Sequence, residues 1–399
     1  MTDRVVIVAP DGDGSLAGYS KALAAALETT PVVVAGCSGS WGRPLVSSES
    51  LDCLRREVSA VRRLRRAEAP LLHLTSHHLG RYGPFLGVPY VVTVHDLMRH
   101  RDSVERGRRP PLIHDPNVRD RLHLRLDAAG LRRAAALIAV SEHTRRELIS
   151  FLGVPAERVH VVPEGVDCDA FRPVTRRLLE APYLLYVGSE QPRKNLRTLF
   201  DAFMRIRAAV PDLKLVKVGA PGGPEAPFRE RTLAHACATG ALPHIVFADR
   251  VSHEELLAWY SGALCLVQPS HHEGFGLPPL EAMACGCPVV VSTGGALPEV
   301  AGDAGLVYGR PDDVDALAWA LTRLVSSPAA REEAARAGLE HAAASSWERT
   351  AELTRAVWRG ALGARPAGPS RVVRDLADRP ARSPSAGRRG SGEALRRAG

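Results

Sequence analysis

The chain has 399 residues, of which 45% are hydrophobic and 24% charged, and its net charge is +8. This length exceeds what one hydrophobic core usually supports, so it favours two domains with a cleft between them. Residues 366–399 carry +5 of this charge, so the rest of the chain is close to neutral and does not indicate nucleic-acid binding. No run of about 18 to 20 apolar residues occurs, which argues against a membrane-spanning helix.

In the first half of the chain, short apolar runs alternate with helical patterns such as Tyr19–Leu27. Continuous apolar strands separated by helices predict a parallel sheet covered on both faces. The predicted strands are Arg4–Ala9, Val32–Ala35, Leu71–Leu74, Tyr90–Val94, Ala136–Val140 and Val159–Val162.

The same pattern restarts after Pro173, which predicts a second doubly wound, Rossmann-like unit. Its strands are Tyr183–Val187, Leu213–Val218, Ile245–Phe247, Ala263–Val267, Pro288–Val291 and Gly305–Tyr308. We therefore expect an α/β protein whose two domains, 1–173 and 182–346, face a cleft. A terminal helix over 347–362 is expected to pack back on the first domain, and a disordered basic tail to cover 366–399.

The segment from Glu273 to Glu281, with the sequence EGFGLPPLE, follows an apolar strand. Gly274 and Gly276 allow a ligand to approach the backbone closely, and the two prolines suit the first turn of a helix. A helix N-terminus facing the cleft favours a phosphate group. Eight residues separate the two glutamates, too far for the roughly 5 Å carboxylate pair of a retaining glycoside hydrolase. The sequence therefore predicts separate tasks, Glu273 at a sugar and Glu281 at ribose hydroxyls.

The second domain begins with a strand that leads into the polar loop GSEQPRKN. Arg193 and Lys194 lie in this loop, at the carboxyl edge of the sheet. Cations at this place can stabilise the charge that accumulates on a departing diphosphate, in place of a metal ion.

These phrases, together with VVTVHDL, SEHTRREL, VVPEGVDCDAF and GGALPEVAGDAGLVY, resemble glycosyltransferase family 4, the retaining group 1 glycosyltransferases with the GT-B fold. The resemblance extends from Val5 to about Trp358. It implies an acceptor-side first domain, a nucleotide-sugar-binding second domain and no metal or other cofactor.

The resemblance also implies the roles of individual residues. Glu273 would contact the donor sugar, Glu281 the ribose, and Lys194 with Arg193 the diphosphate. Backbone groups of Gly274, Phe275, Gly276 and Leu277 would contact the sugar and diphosphate, Val251 would lie near the base, and His95 would face the reacting centre. Ser189 stands where many members have arginine, and the loop from Gly14 to Tyr19 reads GSLAGY where relatives often read GGIGRY.

The expected activity is transfer of a hexose of mannose or glucose type from GDP-mannose or a UDP-hexose. The acceptor would be a glycan, a lipid-linked molecule or a small molecule, as in the synthesis of cell envelope polysaccharide. We expect a cytoplasmic protein, at the inner face of the membrane if the basic helix Leu54–Arg66 makes weak peripheral contact with anionic lipid.

Four alternatives stay open at this point. The glycines after the first strand resemble the dinucleotide-binding motif of an NAD-dependent oxidoreductase. The second strand, however, is not followed by the acidic residue that would bind the ribose in such an enzyme. A sugar-nucleotide epimerase or hydrolase, or a catalytically silent nucleotide-sugar-binding protein, would carry the same donor site. Asp11 and Asp13 have a metal-binding spacing, but a turn is favoured. The histidine pairs His77-His78 and His271-His272 are expected to be polar lining of the cleft.

Overall fold

The computed structural model describes residues 5–12, 14–34, 48–66, 69–105, 112–113, 116–220 and 226–363. The side chains of residues 48–54, 57 and 226 are not described. The predicted disordered tail over 366–399 lies outside the described residues, as does Asp13.

The first half forms a six-stranded parallel sheet with the strand order β2-β1-β3-β4-β5-β6. Its strands are β1 Val5–Pro10, β2 Val32–Val34, β3 Leu71–Leu74, β4 Tyr90–Val94, β5 Ala136–Ala139 and β6 Val159–Val161. Its helices are α1 Ser15–Ala26, α2 Ser48–Arg65, α3 Met98–Val104, α4 Val118–Arg133 and α5 Glu142–Leu152. Strands β3, β4 and β5 are buried along their whole length, which explains why their sequences are apolar without alternation.

The second half forms another six-stranded parallel sheet, with the order β12-β11-β10-β7-β8-β9. Its strands are β7 Tyr183–Val187, β8 Lys214–Val218, β9 Ile245–Asp249, β10 Cys265–Gln268, β11 Val289–Val291 and β12 Leu306–Val307. Its helices are α6 Leu196–Arg207, α7 Ala226–Ala238, α8 His253–Gly262, α9 Leu277–Ala284, α10 Leu297–Ala301, α11 Val314–Ser326 and α12 Pro328–Ala344. All twelve predicted strands are present, with ends that shift by one or two residues, and the α/β class of two doubly wound units is confirmed.

The chain passes between the halves twice, and the two crossings lie side by side. The first runs through residues 162–182, which hold no helix or regular strand, and the second joins α12 to the last helix, α13 Trp347–Gly363. Val166 forms an isolated parallel bridge with Ser346 and donates its N–H to Ser345. A Cβ on Gly165 would lie 2.4 Å from the backbone nitrogen of Trp347, so only glycine lets the crossings approach this closely.

Helix α13 packs against the first sheet although it follows the second half in the chain. Its residues Ala351, Val357, Trp358 and Ala361 share one buried cluster with Ile7, Tyr19, Leu23 and Ile138. The ring of Tyr19 also contacts Trp347 edge-on, with centroids 5.6 Å apart. The terminal helix is therefore part of the core that supports the first sheet.

The basic helix α2 covers the first sheet through Ala60, Val61 and Leu64. Val58 of this helix is 42% exposed. Among the described residues, no helix is both long and apolar enough to cross a bilayer.

Candidate active site

The loops after β7 and β10 form one face of the site because these strands are neighbours in the sheet. Parallel neighbours end at the same edge, so the polar stretch 188–195 lies beside the stretch 269–276. Asn195, at the left-handed φ of 55°, joins them by donating from Nδ2 to the carbonyl of Pro269 at 3.1 Å. The chain then turns at Gly276, with a φ of 120°, into α9, which has Pro278 and Pro279 in its first turn.

Glu273 lies at the centre of these loops and is only 7% exposed. Its Oε1 accepts from Lys194 Nζ and from Ser270 Oγ, both at 2.7 Å, and from Gln268 Nε2 at 3.1 Å. Its Oε2 accepts from Arg193 Nη1 at 2.7 Å. One carboxylate therefore holds both of the cations that the sequence assigns to a diphosphate.

The surroundings of Glu273 keep it ionised. Burial alone would raise the pKa of this carboxyl group, but the charges of Arg193 and Lys194 and the hydrogen bonds from Lys194 and Ser270 bring the pKa well below its ordinary value. Two cations beside one carboxylate leave a net positive charge that a diphosphate can neutralise.

Glu281 lies on α9, about one turn after the helix begins at Leu277, and is half-buried. Its Oε2 accepts from the hydroxyl of Tyr260 at 2.8 Å. Burial raises the pKa of Glu281, and the hydrogen bond from Tyr260 opposes that effect. Tyr260 thus orients a carboxylate on the helix that follows the turn at Gly276.

His95 follows β4 on the opposite half, and both of its ring nitrogens face oxygen atoms. Nδ1 lies 2.8 Å from Glu164 Oε1, and Nε2 lies 2.9 Å from the carbonyl oxygen of Thr75. Burial alone would lower the pKa of His95, but the hydrogen bond and charge of Glu164 raise it above the ordinary value. Both nitrogens can donate when the ring is protonated, and the ring packs edge-to-face with Tyr19.

Replacing Glu164 by Gln is expected to lower the pKa of His95 and to change how stability depends on pH. Because the folded pKa of His95 is raised, its stabilising effect is complete below about pH 6.5 and is lost as pH rises through the folded pKa. Urea unfolding of both proteins between about pH 5.5 and 9 measures the difference, and the histidine NMR signals give the pKa directly. Equal pH dependence in the two proteins would contradict this assignment.

The two halves meet at Gly274. Its carbonyl oxygen accepts from Ser141 Oγ at 2.7 Å and from Thr144 Oγ1 at 3.3 Å, and both donors belong to the first half. A Cβ on Gly274 would lie 1.8 Å from the carbonyl oxygen of His95 and 2.9 Å from the Cβ of Asp96. The close approach of the His95 backbone therefore requires glycine at position 274. The sequence had indicated only that glycine lets a ligand approach the backbone here.

A second contact across the halves involves Glu299 on α10. Its two carboxylate oxygens accept the backbone N–H groups of Glu142 at 2.7 Å and His143 at 2.8 Å, in the first turn of α5. Between the halves lies a cavity of about 150 Å³ whose lining includes Ser141, Glu164, Phe275 and Glu299. This volume is smaller than the roughly 300 to 1,000 Å³ of ordinary ligand pockets.

The other residues predicted for the site lie around these groups. Ser189 is half-buried, and its carbonyl oxygen accepts from the Tyr186 hydroxyl at 2.7 Å. Val251 and Phe275 pack at the edge of the core of the second half. Leu277 begins α9, whereas Gly14 precedes α1 on the first half and is exposed.

Two family matches cover nearly the whole of this fold. The family described as "Glycosyltransferase Family 4" matches residues 2–170, and "Glycosyl transferases group 1" matches residues 168–341. The chain belongs to the group 1 glycosyltransferases. These two matches meet between the halves and include every residue of the site described above.

Curated relatives of this group 1 glycosyltransferase agree with that assignment. The O-antigen chain mannosyltransferase B of Escherichia coli is 36% identical over 57% of this chain and 60% of its own length. The D-inositol 3-phosphate glycosyltransferase of Acidothermus cellulolyticus is 31% identical over 70% of this chain and 63% of its own length. The chain thus covers 60% and 63% of the lengths of these two relatives, which is less than two thirds of each.

Solved structures agree with the GT-B fold. Sucrose-phosphate synthase from Thermosynechococcus elongatus superposes with a TM-score of 0.72 at 23% identity, covering 89% of this chain and 98% of the other. HepE from Anabaena, in complex with UDP and glucose, superposes with a TM-score of 0.71 at 16% identity, covering 89% and 99%. At these identities the likeness establishes the fold alone.

Sequence reasoning missed the polar residues that orient the predicted ones. Glu164, which binds His95, lies inside the motif VVPEGVDCDAF. The motif contributed to the family resemblance, but it did not indicate that Glu164 contacts His95. Gln268 and Ser270, which bind Glu273, end and follow a strand, where polar side chains reach the sheet edge. Tyr260 gives no sequence signal, because an aromatic residue on a covering helix is ordinarily part of the core.

Proposed function

We propose that this glycosyltransferase moves a hexose from a nucleotide diphosphate sugar to an acceptor hydroxyl with retention of configuration, and that no metal ion binds the diphosphate. The observation that carries the proposal is the convergence of Arg193 and Lys194 on Glu273, next to the N-terminus of α9. Two cations and a helix N-terminus supply the positive charge that a metal ion provides in other transferases.

The chemical step follows from this arrangement. The bond between the anomeric carbon and the phosphate oxygen breaks, its electrons remain on the diphosphate, and the acceptor oxygen attacks from the same face of the sugar. The leaving phosphate takes the acceptor proton, so no protein base is consumed. Arg193 and Lys194 stabilise the departing charge, and Glu273 orients the sugar and favours its positive, oxocarbenium-like state. His95, whose backbone carbonyl lies beside Gly274, is held by Glu164 on the opposite side of the site.

Mannose is the preferred donor sugar in this proposal. The printed name of the relative at 36% identity, a mannosyltransferase, supports it, whereas the glucose complex of HepE supports a glucose-type hexose. A ligand that binds the folded protein stabilises it, so the true donor should raise the unfolding midpoint more than the other nucleotide sugars.

A donor panel tests the proposal. GDP-mannose, UDP-glucose, GDP and UDP are each added to the full chain, and the unfolding midpoint and nucleotide release are measured with and without an acceptor mixture. We expect one donor to raise the midpoint most and to release its nucleotide. A shift without release would identify a binding protein without turnover, and no shift with any member would contradict the donor site itself.

Replacing Glu281 by Ala is expected to weaken donor binding about 10- to 100-fold with little change in kcat, because hydrogen bonds from ribose hydroxyls to a carboxylate are lost. Initial rates and nucleotide affinity measure the effect. A deoxyribose nucleotide provides the matched control, since it lacks a hydroxyl of the same contact. If Glu281 holds the ribose, the deoxynucleotide loses affinity for the wild type but loses much less for the variant.

A further inference from the structure

Three side chains from the two halves converge beside the donor site without belonging to it. His143 and Glu147 are one turn apart on α5 of the first half, and His272 lies in the loop after β10 of the second. Glu147 and His272 are buried, and His143 is half-buried. The sequence indicated the pair His271-His272, but His271 instead faces Asp312 at 3.5 Å and takes no part.

The atoms that meet are His143 Nε2, His272 Nε2 and Glu147 Oε1. The two nitrogens are 3.1 Å apart, His272 Nε2 is 2.8 Å from the oxygen, and His143 Nε2 is 3.4 Å from it. These separations fit a circle of radius about 1.8 Å, so an ion about 1 Å above it lies at about 2.0 to 2.1 Å from all three atoms. That distance matches zinc bound by imidazole nitrogen and carboxylate oxygen.

Hydrogen bonding alone does not satisfy these three atoms. A ring nitrogen carries either a hydrogen or a lone pair in its plane, so His272 Nε2 cannot both donate to Glu147 and accept from His143. The second oxygen of Glu147 is also buried and has no hydrogen-bond partner among the residues that the structure describes. A cation receives one lone pair from each nitrogen, which removes the first conflict, and its charge favours the ionised, buried carboxylate of Glu147.

We propose that His143, Glu147 and His272 bind a first-row divalent metal ion, zinc foremost, that ties the two halves together next to the donor site. Two imidazoles with one carboxylate form a ligand set typical of zinc, and the half-exposed side of His143 leaves a fourth position for water. This ion is separate from the diphosphate, and its binding does not depend on the proposed sugar transfer. Its effect is structural, because ligands from both halves hold them in the closed arrangement.

Metal titration of the full chain, without an affinity tag and after removal of metal by a chelator, tests the proposal. We expect one Zn²⁺ per chain in competition with a chromophoric chelator, a higher unfolding midpoint with Zn²⁺, and the visible absorption of tetrahedral Co²⁺. Mg²⁺ should produce none of these effects, because it prefers an octahedral set of oxygen ligands.

Variants then locate the site. His143→Ala changes a partly exposed helix residue, and it should weaken Zn²⁺ binding by more than about 100-fold, since loss of an outer partner alone costs about 10- to 100-fold. Glu147→Gln should behave similarly, whereas His271→Ala, the neighbouring histidine, should bind as the wild type does. The proposal is overturned if the wild type binds no zinc, or if His143→Ala binds it equally well. A difference between these proteins only in pH dependence would also overturn it, and would identify a proton-linked hydrogen-bond cluster.

Discussion

Replacing Glu273 by Gln should reduce sugar transfer about 10²- to 10³-fold, the effect of losing one preorganised electrostatic contact. The same change should lower the free energy of unfolding by about 3 to 5 kcal/mol, because Arg193 and Lys194 would stay buried next to each other without their carboxylate. Product binding should change in the opposite direction. A nucleoside diphosphate would no longer compete with Glu273 for the cations, so UDP or GDP should bind more tightly, on the order of tenfold.

Steady-state kinetics, urea unfolding and nucleotide titration measure these three effects on one protein. Glu332→Gln is the matched control, since it makes the same chemical change at an exposed position of α12 and should leave all three quantities unchanged. Full turnover in Glu273→Gln would rule out its role at the sugar. Weaker binding of the nucleoside diphosphate would show that the cations do not serve the phosphate.

Replacing Gly274 by Ala should reduce kcat/KM about 100-fold or more, although the new methyl group is small and apolar. The added carbon would lie 1.8 Å from the backbone oxygen of His95, so the halves must separate by roughly 1 Å or more to relieve the overlap. A displacement of this size costs about 100-fold in rate when the reacting groups come from both sides. The hydrogen bond from Ser141 to the Gly274 carbonyl would be lost with it.

Gly360→Ala is the control for Gly274→Ala. Gly360 lies in helix α13, and, apart from the nearby backbone of its own helix, no atom of the described residues lies within 4 Å of the position that a Cβ would take there. Alanine at this position should stabilise the helix by about 0.5 to 1 kcal/mol. Kinetic assays and thermal unfolding of both variants separate an effect on closure from a general effect of losing glycine. Activity of Gly274→Ala within about twofold of the wild type would contradict the contact between the halves.

The fold was predictable because its determinants are local. Buried parallel strands such as Tyr90–Val94 and Tyr183–Val187 are continuous apolar runs, and their ends in the structure agree with the sequence. The order of the strands is not local. That β7 and β10 are neighbours brings Lys194 to Glu273, whereas the sequence placed both residues at one donor site only through the family resemblance.

Contacts between the halves were beyond prediction for a related reason. Ser141 is a helix N-cap in the sequence, and nothing near it indicates that its hydroxyl binds Gly274, 133 positions away. The role of His95 at the reacting centre stays a prediction. Both of its ring nitrogens contact oxygen atoms, of Glu164 and Thr75, and the sequence contains no pattern that pairs these residues.

The side-by-side crossings at Val166 and Ser346 determine how the molecule can open. Two adjoining crossings restrict the relative movement of the halves more than a single linker would, and they favour a hinge at Val166 and Ser346. We therefore expect any opening of the halves to be a rotation about these crossings, from which Lys194 and His95 would return to the same alignment.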